Sequence, residues 1–502
     1  MRVGVGGWVE SESRPVPSSL LAVRMPLAPT SDPPTPLEVL GTAAFSRVAE
    51  AQQSDGNALR LLRDAVENYP AWLAAIDGAK ATIHLENYIF ADDTTGSRFA
   101  EALVQAARRG ISCRILYDWL GCRTRARKDF WTRLRAAGID VRCYNPPSLS
   151  NPLGWLSRNH RKLLCVDSRL AYVGGLCIAD EWAGDAGRSV APWRDTAVEI
   201  SGPAIADLEI AFADSWQSAG GTLPATLEPA PPTDRPGSLS VWVIAGRPNN
   251  MGLYKLEHLV AEIVERTLWL TDAYFVATGG YVRALCGAAR AGVDVRLLVP
   301  SSSDLVIVRT LSQAGYRPLL EAGVRVFEWN GPMMHAKTAV ADGCWTRIGS
   351  SNSNFASWIS NRELDVTCKD HKLGGEMAAQ FERDMLNSTE IVLERGPFRL
   401  PSIRRDGHGV RARRAHAGRL FAGVVGLGNI VGATVSQRRT PGPAEGIVLL
   451  AAAAFLVLLG TTAFVFPRAL AYLIGAFCAW LGVAVAMRAW RLRSPGKDRP
   501  NS

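Results

Sequence analysis

At 502 residues the chain is long enough for about two to four domains of ordinary size, and its 47% hydrophobic content supplies a substantial core. The net charge of +9 points toward an acidic partner, either a membrane surface or nucleic acid, with plain Arg-rich usage as the bland alternative. Nine cysteines with no CxxC pair and no His/Cys metal spacing exclude a disulfide scaffold and a zinc module, and fit a reducing compartment.

Residues 1 to about 36 are rich in Pro and Ser and read as disordered, so 1–57 is taken as an N-terminal segment and lead-in. The start has no basic region leading into an apolar core and is not a signal peptide. From there the chain repeats itself. "AIDGAKATIHLENYIFADDTTGSRFAEALVQAARRGISCRILYD" (Ala75–Asp118) parallels "LVAEIVERTLWLTDAYFVATGGYVRALCGAARAGVDVRLLVP" (Leu259–Pro300). Within each, "ATIHLENYIF" and "TLWLTDAYFV" read as strands from their β-branched and aromatic content. "FAEALVQAARRG" and "YVRALCGAARAG" carry apolar residues at helical spacing and stop at Gly, a C-cap signal. "GIDVRCYNP" and "GVRVFEWNGP" add a further strand to each. Helix alternating with strand predicts two duplicated α/β halves, 58–217 and 241–398, with a mixed or largely parallel sheet. The Pro/Gly-rich stretch 218–240 is the linker.

Beyond 398 the composition changes. Residues 399–445 are strongly basic over Arg399–Arg419. Gly446–Phe466 and Ala469–Met487 follow as uncharged runs of 21 and 19 residues, each long enough to span a hydrocarbon core of about 30 Å. Residues 446–487 are therefore expected to form a transmembrane hairpin, and 488–502 a basic tail. Arg438 and Arg439 precede the first run, and Arg488, Arg491, Arg493 and Lys497 follow the second, against only Arg468 between them. That asymmetry puts both ends, and with them the catalytic halves, on the cytoplasmic face.

Just after the third strand of each half stands the same string: "NHRKLLCVD" (Asn159–Asp167) and "MHAKTAVAD" (Met334–Asp342). Both spell His-x-Lys-x4-Asp, with 335 − 160 = 175 residues between the histidines, and in both a Gly (Gly174, Gly349) lies fourteen residues after the His. Lysine is scarce in this chain, so two such copies are not accidental. A neutral imidazole is a competent nucleophile at pH 7, and an imidazolium is a competent acid. A site holding both can attack one side of a centre and protonate the leaving group on the other. Two lysines add fixed positive charge for oxygens that grow more negative during reaction. A phosphodiester fits these demands: it repels anionic nucleophiles, its alkoxide leaving group needs a proton, and attack by His gives a phosphohistidine. No metal or other cofactor is called for.

These residues resemble the phospholipase D superfamily with its paired HxKxxxxD motifs, most closely the bacterial cardiolipin synthases, over roughly Ala58 to Val392. The resemblance implies two α/β sandwich halves packed face to face with one shared active site, where His160, Lys162, His335 and Lys337 converge on one phosphate. It implies catalytic-motif status for Asp167 and Asp342, phosphate contacts from Ser350 and Asn352 of "GSSN", and histidine-orienting acids in Asp195 and Glu363. Cys177 sits where the family commonly has Asn, and a thiol is a poor donor. The implied activity is transfer of a phosphatidyl group from phosphatidylglycerol, making cardiolipin and releasing glycerol. A hydrolytic phospholipase D or a nucleic-acid phosphodiesterase is the alternative. A lipid substrate and an anionic membrane surface explain the apolar runs, the flanking arginines and the duplication together, so no nucleic-acid partner is expected. His84 reads as structural, Glu86 as either a family position or a solvated strand carboxylate, and Asp118, Gly121 and Asp304 as turn formers.

Overall fold

The computed structural model describes residues 33–147, 157–222 and 234–393, together with isolated helical positions between 454 and 480. Strands of the first half are β1 (Gln53–Arg63), β2 (Thr82–Asn87), β3 (Ser112–Asp118), β4 (Asp140–Tyr144), β5 (Leu163–Val166), β6 (Leu170–Gly174) and β7 (Thr196–Ser201). The second half repeats them as β8 (Leu239–Ala245), β9 (Thr267–Thr271), β10 (Asp294–Pro300), β11 (Arg325–Trp329), β12 (Thr338–Ala341), β13 (Trp345–Gly349) and β14 (Leu364–Lys369), and then adds β15 (Ser388–Ile391).

The order β1-β7-β6-β5-β2-β3-β4 in one half is matched by β8-β14-β13-β12-β9-β10-β11 in the other, with β15 at the far edge. β2, β3 and β4 run parallel, as do β9, β10 and β11, and the remaining pairs are antiparallel, so the sheet is mixed. β1 ties the halves together. Ala58–Arg63 pair with β7, while Gln53–Asn57 pair with β8 across a register shift.

Burial follows the two-residue period of a strand covered on both faces. In β5, Leu164 and Val166 join the core beneath the first half's helices, whereas Leu163 and Cys165 turn into a core shared by both halves. That shared core also takes Val198 and Ile200 from β7, Val241 and Val243 from β8, and Val340, Ile348 and Val366 from the second half. The helix Ile205–Ser218 contributes Leu208, Phe212 and Trp216 to it. The two halves of the sheet therefore face each other across this core, with the helix Ile205–Ser218 packed within it.

The glycine stops expected from sequence are present. The helices Thr94–Arg108 and Gly279–Arg290 end at Gly110 and Gly292, at φ +87° and +98°, where a side chain would be strained. The lead-in contains a short helix, Thr42–Ala49, that docks on the second half: Phe45 packs against Trp242 with centroids 4.6 Å apart. Among the described residues no helix is long and apolar enough to cross a membrane. The expected hairpin, Gly446–Phe466 with Ala469–Met487, lies outside the described residues apart from those isolated positions.

Candidate active site

Both histidines stand where the chain enters a central strand, and each is fixed by backbone from the other half. His160 N donates to Arg362 O at 2.8 Å, and His335 N donates to Arg194 O at 2.7 Å. Arg362 and Arg194 in turn donate their own amides to Arg158 O (2.8 Å) and Met333 O (2.9 Å). This places the residue after each arginine against the opposite imidazole. His160 Nδ1 lies 2.9 Å from Glu363 Oε2, and His335 Nδ1 lies 2.7 Å from Asp195 Oδ2. The acids are exchanged between halves. With Nδ1–H given to a carboxylate, Nε2 of each ring is left with its lone pair.

The acids are themselves held, by different means. Ser350 Oγ donates to Glu363 Oε2 at 2.6 Å, and the Trp182 indole N–H donates to Asp195 Oδ2 at 2.8 Å. At the place of Ser350 the first half has Gly175, where a Cβ would fall 2.1 Å from Asp195 Oδ1. Only glycine leaves room for the shorter acid.

Lys162 and Lys337 are buried, and each donates its ammonium to the carbonyl of its own motif histidine. Burial, then Lys337, pushes His335 down to about 3 against the pull of Asp195, and Lys162 adds to this. Burial also pushes His160 below the usual histidine range; Glu363 opposes the shift, and Lys162 and Lys337 reinforce it. Each imidazole thus feels the lysine of both halves, which places the four side chains in one electrostatic neighbourhood. Burial brings Lys337 down to about 8, with Asp195 opposing and Lys162 contributing, and lowers Lys162 too. Burial would raise Asp195 and Glu363, but their histidines and the lysines hold both carboxyls below the ordinary range. These shifts favour neutral imidazoles and ionised orienting acids at neutral pH, with Lys337 protonated below about 8.

The motif aspartates are elsewhere. Asp167 accepts from the backbone amides of Lys80 (2.8 Å), Ala81 (2.7 Å) and Thr82 (2.8 Å), and Asp342 from those of Glu265 (3.2 Å), Arg266 (2.8 Å) and Thr267 (3.0 Å). Each sits at the far end of β5 or β12 from its histidine, in a left-handed turn at φ +55° and +49°. They pin the start of β2 and β9 and touch no reacting group. Ser350 also departs from expectation. Its hydroxyl proton goes to Glu363 and its oxygen accepts from Leu364 N at 2.9 Å, so its hydroxyl is spent on the orienting acid. Asn352 is buried, and its side-chain Oδ1, an acceptor, has no partner. Cys177 is buried, and both lysines act on its thiol, which burial pushes up.

His84 is structural, 2.6 Å from Glu209 and stacked on Phe212. Glu86 is not solvated: it is fully buried and accepts from Asn159 Nδ2 at 2.6 Å, beside His160. Asp118 forms the expected turn through Leu120 N and Gly121 N, and also accepts from Asn159 N at 2.8 Å. Sequence reasoning passed over Tyr88 and Tyr274, whose rings lie against His160 and His335 at 4.9 and 6.0 Å. It also passed over Arg194 and Arg362, although an Arg directly before each acid ("RD", "RE") is a repeated signal. Arg194 pairs with Asp384 at 2.8 Å, and Arg362 with Asp214.

Comparison with known proteins agrees with this geometry. Residues 72–182 and 260–385 match the family described as "Cardiolipin synthase, PLD-like domain". The chain is 32% identical over 396 residues to a cardiolipin synthase of Geobacillus kaustophilus, covering 76% of each protein. It is 32% identical over 358 residues to cardiolipin synthase A of Pseudomonas aeruginosa, covering 70% of this chain and 72% of that one. Among solved structures, the phosphatidylserine synthase of Haemophilus influenzae shares the fold, with a TM-score of 0.53 at 14% identity over 66% of this chain and 87% of that one. Two HxKxxxxD motifs, one shared site and relatives at this identity and coverage lead to one conclusion: the chain belongs to the cardiolipin synthase family of phospholipase D-like proteins.

Proposed function

We propose that the protein is a phosphatidyltransferase of the cardiolipin synthase type, acting on two phosphatidylglycerols through a phosphohistidine. The observation that carries this is the pair of exchanged histidine–carboxylate contacts around two buried lysines. Nε2 of one imidazole attacks phosphorus and the P–O bond to the glycerol headgroup breaks. The other histidine, protonated once the anionic phosphate is bound, gives its proton to the departing glycerol oxygen. That imidazole then takes the proton from a hydroxyl of the second phosphatidylglycerol, whose oxygen attacks phosphorus as the P–N bond breaks. Lys162 and Lys337 are placed to hold the non-bridging oxygens, with the Asn352 side-chain N–H as a further donor in the role carried over from the family.

In the order carried over from the family, His160 is the nucleophile and His335 the acid. Burial and the two lysines hold both imidazoles below the usual histidine range, so either ring is available as the nucleophile and experiment assigns the roles. Rapid quenching with labelled phosphatidylglycerol and peptide mass spectrometry separates the two, because the adduct marks the nucleophile. Lipid analysis of the same reaction distinguishes transferase from hydrolase: cardiolipin supports the proposal, and phosphatidic acid as the sole lipid product overturns it.

The stretches Gly446–Phe466 and Ala469–Met487 form two membrane spans in this proposal, with the catalytic halves on the cytoplasmic face; the flanking arginines support that orientation. Labelling of a cysteine placed at position 494, or of one on the catalytic body, from outside intact cells counts against it.

A further inference from the structure

Tyr88 and Tyr274 are not equivalent by strand register, yet their rings do the same thing. Asp167 and Asp342 bind Thr82 and Thr267 alike, so the two halves are offset by 267 − 82 = 185 residues, which puts Tyr88 opposite Ala273 and Ile89 opposite Tyr274. From positions one residue apart, both rings come edge-on to the histidine of their own half, at interplanar angles of 65° and 83°. Both also lie under the motif lysine of that half: Lys162 Nζ is 5.3 Å from the centre of the Tyr88 ring, and Lys337 Nζ is 5.8 Å from that of Tyr274. Mere inheritance from a duplicated ancestor would keep the register. Here the placement is kept although the register is not.

Resting on the phosphatidyl-transfer reading, we propose that Tyr88 and Tyr274 are positioning residues whose ring faces hold the buried ammonium groups of Lys162 and Lys337 charged and aimed at the substrate phosphate. An ammonium that has lost its water needs compensation, and the negative face of a ring provides it without competing for the phosphate as a carboxylate would. The hydroxyl is not the working part. Tyr274 spends its own on Asp304, at 2.7 Å. The other groups acting on Lys162 include Glu363, Asp195, Asp118 and Cys177, with His160 bonded through its carbonyl. Those acting on Lys337 are Asp195, Lys162, Asp272 and Cys177, with His335 bonded likewise. Two neighbouring ammonium groups repel, so the rings matter most when no phosphate is bound.

The test uses the full-length protein with 15N-lysine labelling, which the scarcity of lysine makes readable, alongside glycerol release from phosphatidylglycerol. Glycerol release scores the first chemical step whichever acceptor completes the cycle, so its absence in wild type indicts the functional reading and leaves the lysine titration to judge the rings. Tyr88→Leu and Tyr274→Leu should each lower the titration midpoint of the lysine above by about one pH unit and cut glycerol release at least ten-fold. Tyr88→Phe and Tyr274→Phe should restore both. Progressively fluorinated phenylalanines at position 274 keep the size of the ring while draining its face, so they report even where a Leu variant unfolds. A graded fall in the Lys337 midpoint with fluorination supports the proposal, and a flat response overturns it.

Discussion

Each histidine takes its carboxylate from the other half, and the two acids differ in length and in what holds them. Removing the charge while keeping the shape isolates that role. Asp195→Asn and Glu363→Gln should each lower kcat by roughly 10² to 10⁴, as when a triad acid is neutralised, with little change in fold by circular dichroism. Losses below ten-fold in both would mean the carboxylates are structural. Ser350 acts one step further out. Ser350→Ala should lower kcat about ten-fold by loosening Glu363 while leaving KM near wild type, whereas Asn352→Ala should raise KM as well, because the proposed mechanism gives its side-chain N–H to the substrate phosphate. Lys337 sets a pH limit. With its proton lost near 8, the free enzyme loses charge that the phosphate needs, so kcat/KM should fall as pH rises through about 8. A profile flat to pH 10 would show that the ammonium is not required. The sequence spelled out the catalytic pairs, because His, Lys and Asp at fixed spacing name themselves. It was silent on which acid serves which histidine, since the two halves read alike and the exchange exists only in three dimensions.

Strands and turns explain why the motif is longer than its chemistry requires. His160 and Lys162 lead into β5, whose four residues are all buried, and Asp167 closes the far end. The eight-residue stretch from His to Asp thus holds a complete strand and the start of its turn, and the aspartate makes the register reproducible in both halves. The family resemblance grouped the Asp with the catalytic motif, as an acid that supports its framework. Periodicity carries no information on which end of a strand faces the substrate. Asp167→Ala removes three amide contacts and puts alanine into a left-handed turn. It should destabilise the fold by roughly 1–3 kcal/mol, seen as a lower Tm, while kcat of the folded fraction stays within a few-fold of wild type. A collapse of kcat at unchanged Tm would return Asp167 to the chemistry. The strands themselves were legible from β-branched and aromatic content, and the helices from their apolar spacing and Gly stops. The docking of Thr42–Ala49 was not, because eight residues beside a Pro/Ser-rich stretch give little period to read.

At the scale of the molecule, duplication has become dependence. The inner faces of the two sheets carry Val198 and Ile200 on one side and Val241, Val243, Val340 and Ile348 on the other, each side chain stabilised by about 1.5–3 kcal/mol on burial. Neither half can cover that face alone, and neither histidine has its acid without the partner half. The first half also sends β1 into the second half's sheet, and the lead-in sets Phe45 onto Trp242. These contacts predict opposite outcomes for two ways of cutting the same linker. A protease site inserted within 223–233 and cleaved after folding should leave the halves associated and glycerol release above about half of the uncut value, since the shared core and β1 outlast the peptide bond. Each half expressed alone should give no turnover at all, because His160 lacks Glu363 and His335 lacks Asp195. Measuring release in the nicked protein and in each separate half decides it: turnover by one half alone would break the single shared site into two, and loss of activity on nicking would mean that the linker, not the core, holds the site together.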